Sequence, residues 1–99
     1  MHIPPKHYRE LYTLFAAIKN EKEAEMFLKD MLTPQEFDSV TVRWQEIQLL
    51  AKGMPQREIA KKLGISISKI TRGSRALYHG NGAFTMMLKR LKKPIAKSA

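Results

Sequence analysis

The chain has 99 residues, 43% of them hydrophobic, and carries 18 Lys and Arg against 9 Asp and Glu, for a formal net charge of +9 and a pI near 10.1. A chain of this length makes one domain at most, and it buries only roughly two-thirds of the surface its unfolded form exposes. With no cysteine, no metal-ligand spacing among His2, His7 and His79, no apolar run of bilayer-spanning length and no signal-peptide order at the N-terminus, the composition argues against a disulfide framework, a metal role and a membrane span. It fits a cytoplasmic protein with a polyanionic partner, for which nucleic acid is the commonest reading and an acidic membrane the weaker alternative.

β-branched residues never alternate cleanly with polar ones, so the pattern predicts an all-α chain of about six helices forming a single domain over 1–99. After the frayed start MHIPP, a first helix is expected from about Lys6 to Lys19. Its LYTLFAAI segment is apolar around most of the circumference and requires burial on several sides. In so short a chain a second copy supplies that burial most easily, which predicts an intertwined homodimer with residues 6–53 as its dimerisation helices.

A second helix is expected over Glu21–Met31, with acids in its first turn facing the positive end of the helix dipole. Thr33-Pro34-Gln35-Glu36 starts a third: Thr33 can cap, Pro34 suits the first helical position, and Glu36 can complete a capping box. Helical spacing continues through Trp44, Ile47, Leu50 and Ala51, and Gly53 is a plausible stop. Pro55 can open the next helix. Trp44, alone on an apolar face, reads as dimer core rather than as part of a ligand site.

Residues 55–77 have the pattern of a helix-turn-helix. Ile59, Leu63, Ile65 and Ile70, the small Ala60 and a Gly64 at the bend are what two short crossing helices need. The charge falls in the same half: Met54–Ala99 holds 11 Lys and Arg against the single acid Glu58, whereas Met1–Gly53 holds 7 against 8. YHGNGAF then marks a turn before a last helix over about 83–91. Residues 94–99 are expected to form a frayed basic tail, either a solubilising segment or a phosphate contact.

In a helix-turn-helix the second helix enters the major groove and its N-terminal residues meet base edges. Those residues here are Ser66, Ile67, Ser68 and Thr71, where the hydroxyls can donate or accept and Ile67 can press on a thymine methyl. Arg57 is the best candidate for a bidentate guanine contact, with Gln56 beside it in the DNA-facing set. Lys61, Lys62, Lys69 and Arg75 are placed to meet phosphates. The bland alternative is a helical hairpin with a solvated basic face. Gly73, three residues after Ile70 where such motifs usually carry an apolar residue, costs about 1 kcal/mol relative to alanine inside a helix and suggests that something approaches the backbone closely. A flat ligand would qualify.

Leu32-Thr33-Pro34, Arg43, Gln56-Arg57-Glu58, Leu63-Gly64 and above all Ile70-Thr71-Arg72-Gly73-Ser74 with Leu77 stand in the order, and nearly the spacing, of the Trp repressor family. This part of the chain, about residues 31 to 77, resembles that family. The resemblance implies an intertwined all-helical dimer that binds operator DNA when the co-repressor L-tryptophan sits between the recognition helix and the partner subunit. It places the two arginines that sandwich the indole on Arg43 and Arg72, lines the pocket with Gly73, and lets Leu32 and Thr33 of the other subunit help hold the amino-acid backbone. Guanidinium planes can stack on an indole and Arg72 can also pair with a carboxylate, although Arg43 could equally serve an ion pair and Arg72 a phosphate.

The chain departs from that pattern in three places. Lys69 stands where the family's tryptophan-responsive members carry a threonine, Ala76 where a serine hydroxyl helps hold the ligand's ammonium, and Pro55 where a capping serine is usual, with one residue fewer between Gly53 and Gln56. A lost hydrogen bond to a charged group is worth roughly 1.5 to 3 kcal/mol, enough to weaken tryptophan tenfold or more. LYHGNGAF resembles a sister branch of Trp-repressor-like proteins. The leading expectation is therefore an effector-gated repressor. The alternatives are the same DNA-binding dimer with another effector or none, and a protein-docking module. Catalysis is not expected, because the basic half holds one carboxylate and no Ser/His/Asp or Cys/His arrangement.

Overall fold

A computed structural model describes residues 1–97, and the end of the expected tail, Ser98 and Ala99, lies outside the described residues. Six helices follow in order, α1 (Pro5–Ala16), α2 (Glu21–Met31), α3 (Pro34–Ala51), α4 (Gln56–Leu63), α5 (Ile67–His79) and α6 (Ala83–Arg90), with no strand among the described residues. The all-α expectation holds. The chain divides into two compact units, 1–37 and 38–99.

In the 1–37 unit, α1 ends at Ala16, three residues short of the expected Lys19. The next helix sets that limit. Asn20 must take an extended conformation, φ −156°, for its Oδ1 to accept from the Glu23 amide at 2.9 Å, and the chain leaves the helix ahead of it. Glu23 Oε1 in turn accepts from the Lys19 amide at 2.9 Å. The expected capping box at the next start is present: the Glu36 amide donates to Thr33 Oγ1 at 3.1 Å, and the Thr33 amide donates to Glu36 Oε1 at 2.9 Å. Phe15 and Phe27 meet edge-to-face with ring centroids 5.3 Å apart. Neither α1 nor α2 buries a single residue, and Tyr8, Leu11, Tyr12, Phe15 and Met26 stay exposed. An apolar surface of that kind is unusual on a finished monomer.

The 38–99 unit holds the core. Ile47, Ile59, Ile70 and Leu88 are fully buried, joined by Leu49, Leu50, Ala51 and Leu77, and α5 packs against both α4 and α6. Trp44 packs on this core within the chain, its ring 6.4 Å from that of Phe84. Three helices end alike, with an amide donating five residues back: Met54 to Leu49 O at 3.1 Å, Ile65 to Ala60 O at 3.1 Å and Lys93 to Leu88 O at 2.8 Å. Each such ending requires a left-handed residue. Gly53 and Gly64 supply two of them, and Lys92, at φ 56°, the third. Pro55 sits one position earlier than expected, as the residue before α4 rather than its first, because its φ of −58° and ψ of 140° lead into the helix. After α6, residues 91–97 are non-helical, and the Ala96 amide donates to Ala51 O at 2.6 Å.

Gly64 makes the bend between α4 and α5 at φ 66°, with nothing within 4 Å of a Cβ built there. A substitution at this position tests the backbone alone. Gly64→Ala is expected to lower the unfolding free energy by about 1 kcal/mol in urea melts at fixed protein concentration, with helix content unchanged.

Candidate nucleic-acid interface and ligand cleft

α4 is opened by Gln56 and ended by Gly64, and α5 is capped by Ser66, whose Oγ accepts from the Lys69 amide at 3.2 Å. Buried Ile59 and Ile70 hold the two helices together from beneath. Thr71 Oγ1 donates to Ile67 O at 3.0 Å and stands 3.5 Å from Gln56 Oε1, which brings the first residue of α4 beside the second turn of α5. Ser66, Ile67, Ser68, Lys69 and Thr71 are exposed, Ile67 at 49% despite its apolar side chain. Arg57, Lys61, Lys62, Arg72 and Arg75 are also exposed. Among the described residues, the ion pairs within 4 Å lie on α2, between Glu25 and Lys22 or Lys29, and none engages these cations.

A cleft of about 400 Å³ opens beside α5. Its walls include Arg43 and Glu46 from α3, Lys69, Arg72, Gly73 and Ala76 from α5, and Phe84 from α6. Arg43, Arg72, Gly73 and Ala76, four of the six residues expected at an effector site, thus come together, with Lys69 among them. Leu32 and Thr33 are not among the lining residues. They belong to the 1–37 unit, where the Leu32 amide donates to Leu28 O at 3.0 Å and Thr33 forms the capping box.

Glu46 is the residue that sequence reasoning missed. It is 4% exposed, and its Oε2 has no hydrogen-bond partner. It also accounts for Gly73. A Cβ on Gly73 would collide with Glu46 Oε2 and come within 2.9 Å of its Cδ and 3.5 Å of Leu50 Cδ1. A carboxylate of the chain itself therefore lies against this backbone, and Gly73 is at the same time part of the cleft wall. Burial pushes the Glu46 carboxyl above the ordinary glutamate value of 4.5, and the nearby Arg43 and Lys69 charges oppose that rise only in part.

Two helices crossing over a left-handed glycine turn, the second exposing its N-terminal side chains amid unpaired cations, define a helix-turn-helix protein, the fold class of many DNA-binding transcription regulators. The chain belongs to the Trp repressor family, whose family model, Trp repressor protein, matches residues 6–92. The Trp operon repressor homolog of Vibrio parahaemolyticus is 33% identical over 95 residues, covering 95% of this chain and 92% of the relative. The Trp operon repressor homolog of Actinobacillus succinogenes is 52% identical over 66 residues, covering 66% of this chain and 64% of the relative, so that match spans less than two-thirds of its length. The crystal structure of a TrpR-like protein from Eubacterium eligens superposes with a TM-score of 0.84 at 26% identity, covering 92% of this chain and 94% of that one. Proteins of this family are transcription regulators and not enzymes. Among the described residues, no helix is long and apolar enough to cross a membrane.

Because the folded state raises the Glu46 value, folding favours the protonated form. The stability this group contributes is complete below pH 4.5 and is lost as pH rises through the folded-state value. Glu46→Gln, neutral and nearly isosteric, is expected to be more stable than the parent at pH 7, and urea melts should show the advantage shrinking toward zero as pH falls to about 4.

Proposed function

We propose that the chain is a sequence-specific transcriptional repressor of the cytoplasm that binds operator DNA as an intertwined homodimer and is gated by a small aromatic effector. One observation carries this reading: α5 presents Ile67, Ser68 and Thr71 on its exposed surface and also contributes Lys69, Arg72, Gly73 and Ala76 to the cleft. A ligand in the cleft therefore touches the helix that reads DNA. If it prefers the orientation in which the two recognition helices of a dimer fit successive major grooves, it raises operator affinity by population shift. Dimer formation is supported by the exposed aromatic and aliphatic side chains of α1.

In this reading Arg57 contacts a guanine with Gln56 beside it, Ile67, Ser68 and Thr71 meet base edges, and Lys61, Lys69 and Arg75 meet phosphates. Ser66 caps α5 and adds its hydroxyl to the same edge. The leading effector is L-tryptophan, its ring stacked by Arg43 and Arg72 and its carboxylate paired with Arg72, with Leu32 and Thr33 contributed by the partner subunit. A second reading keeps the DNA-binding dimer but gives it another effector or none. It is favoured by Lys69, which stands where tryptophan-responsive members carry a threonine, and by Ala76, which stands where a serine hydroxyl helps hold the ligand's ammonium.

Fluorescence anisotropy with an operator duplex is expected to show log K falling linearly with log salt, by about 0.9 for each phosphate neutralised. Arg57→Ala should abolish preference for the operator over random duplex while preserving helix content and dimer. A flat salt dependence would instead indicate a protein-docking module. Calorimetric titration with L-tryptophan is expected to show one saturable site per subunit, lost in Arg72→Ala. Absence of heat at millimolar ligand would select the second reading and leave DNA binding standing.

A further inference from the structure

Glu46 stands out among the described residues as the charged side chain held within the core, at 4% exposure, and it belongs to the wall of the cleft. A buried carboxylate oxygen left without a partner is rare in folded proteins, and it is costly enough that its persistence calls for a cause. α5 has a glycine where a Cβ would strike the carboxylate. Arg43 and Lys69 act on Glu46 through space, yet no hydrogen bond from either reaches Oε2. Glu46 therefore lines the cleft, and its Oε2, covered on the side of Gly73, is unsatisfied by the chain itself.

The remaining lining charges narrow the chemistry of what would satisfy it. The wall holds three cations, Arg43, Lys69 and Arg72, and two acids, Asp38 and Glu46. A purely cationic ligand would face three like charges. A purely anionic one would leave Glu46 unpaired and bring a second negative charge toward it. A ligand carrying both an anionic group for the arginines and a nitrogen donor for Glu46 satisfies both sets, and half-buried Ile65 and Phe84 offer apolar surface for a ring. The 400 Å³ volume suits a molecule of one or two rings.

We propose that Glu46 is the ligand-selecting residue of this cleft, accepting a hydrogen bond from a cationic nitrogen of a small planar ampholyte, an aromatic amino acid or an amine-bearing aromatic acid, whose carboxylate is held by Arg72 and its neighbouring cations. This rests on the reading of the cleft as the effector site. It goes beyond that reading by assigning the selectivity to Glu46 and by requiring a donor nitrogen in the ligand. Discrimination follows from the asymmetry of buried polar groups: a ligand that lacks the donor leaves the Glu46 acceptor unpaired, and so loses more than the bond alone. The instability that Glu46 brings to the empty protein is then the counterpart of its selectivity.

The test is calorimetric titration of the full chain at pH 7.5 with matched pairs that share a ring and a carboxylate and differ in one ammonium: L-tryptophan against indole-3-propionate, L-phenylalanine against 3-phenylpropionate, and 4-(aminomethyl)benzoate against 4-methylbenzoate. In at least one pair the ammonium-bearing member is expected to bind tenfold or more tightly than its partner. In Glu46→Gln that preference should fall below threefold, with the donor-free member binding as well as or better than it does to the parent. Arg72→Ala should weaken both members alike, which separates loss of the carboxylate contact from loss of selection. Circular dichroism and denaturant melts check that each variant is folded. Equal binding of both members to the parent, or an undiminished preference in Glu46→Gln, would overturn the role of Glu46 while leaving the cleft as an effector site. Failure of every compound to bind the parent at millimolar concentration would overturn the proposal together with the effector reading of the cleft, and would leave the DNA-binding helix-turn-helix untouched.

Discussion

The seat of α5, with Ile70 and Leu77 buried in the core and Gly73 lying beneath the Glu46 carboxyl, is the constraint on which both the cleft and the exposed edge of the 38–99 unit depend. It is where α5 meets α3, with Leu50 Cδ1 at 3.5 Å from a Cβ built at the same position and the Tyr78 hydroxyl donating to Leu50 O at 3.3 Å further along. A side chain at residue 73 would require the Glu46 carboxyl to shift. α5 thereby accepts a helix-interior glycine, which costs about 1 kcal/mol in propensity, to lie against α3. Ile59, Ile70, Leu77 and Leu88 then close the remaining space, and that apolar core fixes α4 and α6 against α5.

Much follows from having a single helix in that position. Beneath, α5 supplies Ile70 and Leu77 to the core; on one side, Lys69, Arg72 and Ala76 to the cleft; and on its exposed N-terminal edge, Ile67, Ser68 and Thr71. A change in the cleft cannot alter the seating of α5 without altering the surface offered to DNA, because no joint intervenes. Cores repack between discrete arrangements rather than deform continuously, so a small difference in ligand contacts can select one setting of the helix. In the proposed reading, the unpaired cations of α4 and α5 add attraction that is independent of sequence, and the short polar and aliphatic side chains at the start of α5 add selectivity.

Local chemistry made most of the fold legible in the sequence. The Thr33 and Glu36 capping box, the stops at Gly53 and Gly64 and the apolar positions Ile59 and Ile70 each act within a few residues, and each holds in the structure. The Asn20 cap is equally local, and it ends α1 at Ala16, ahead of the Lys19 that apolar periodicity alone predicts. Glu46 was hidden for a different reason. Its burial depends on Gly73, 27 residues later, and nothing in the segment Trp44-Gln45-Glu46-Ile47 distinguishes it from a solvated helix acid except its spacing with Leu49 and Leu50. The glycine was read correctly as a site of close approach; which group makes the approach required three dimensions. Ala96 was likewise invisible, because its bond to Ala51 O joins segments that share no sequence pattern.

The most direct measurement is selection from a random-sequence duplex library by the purified chain at moderate salt, with and without L-tryptophan. A helix-turn-helix dimer predicts enrichment of a two-fold symmetric sequence with half-sites one helical turn, about 10 to 10.5 base pairs, apart, and retention that falls steeply as salt rises. Failure to enrich any sequence, under either condition and at salt low enough for DNA to be retained, would contradict the assignment of α5 as a reading helix.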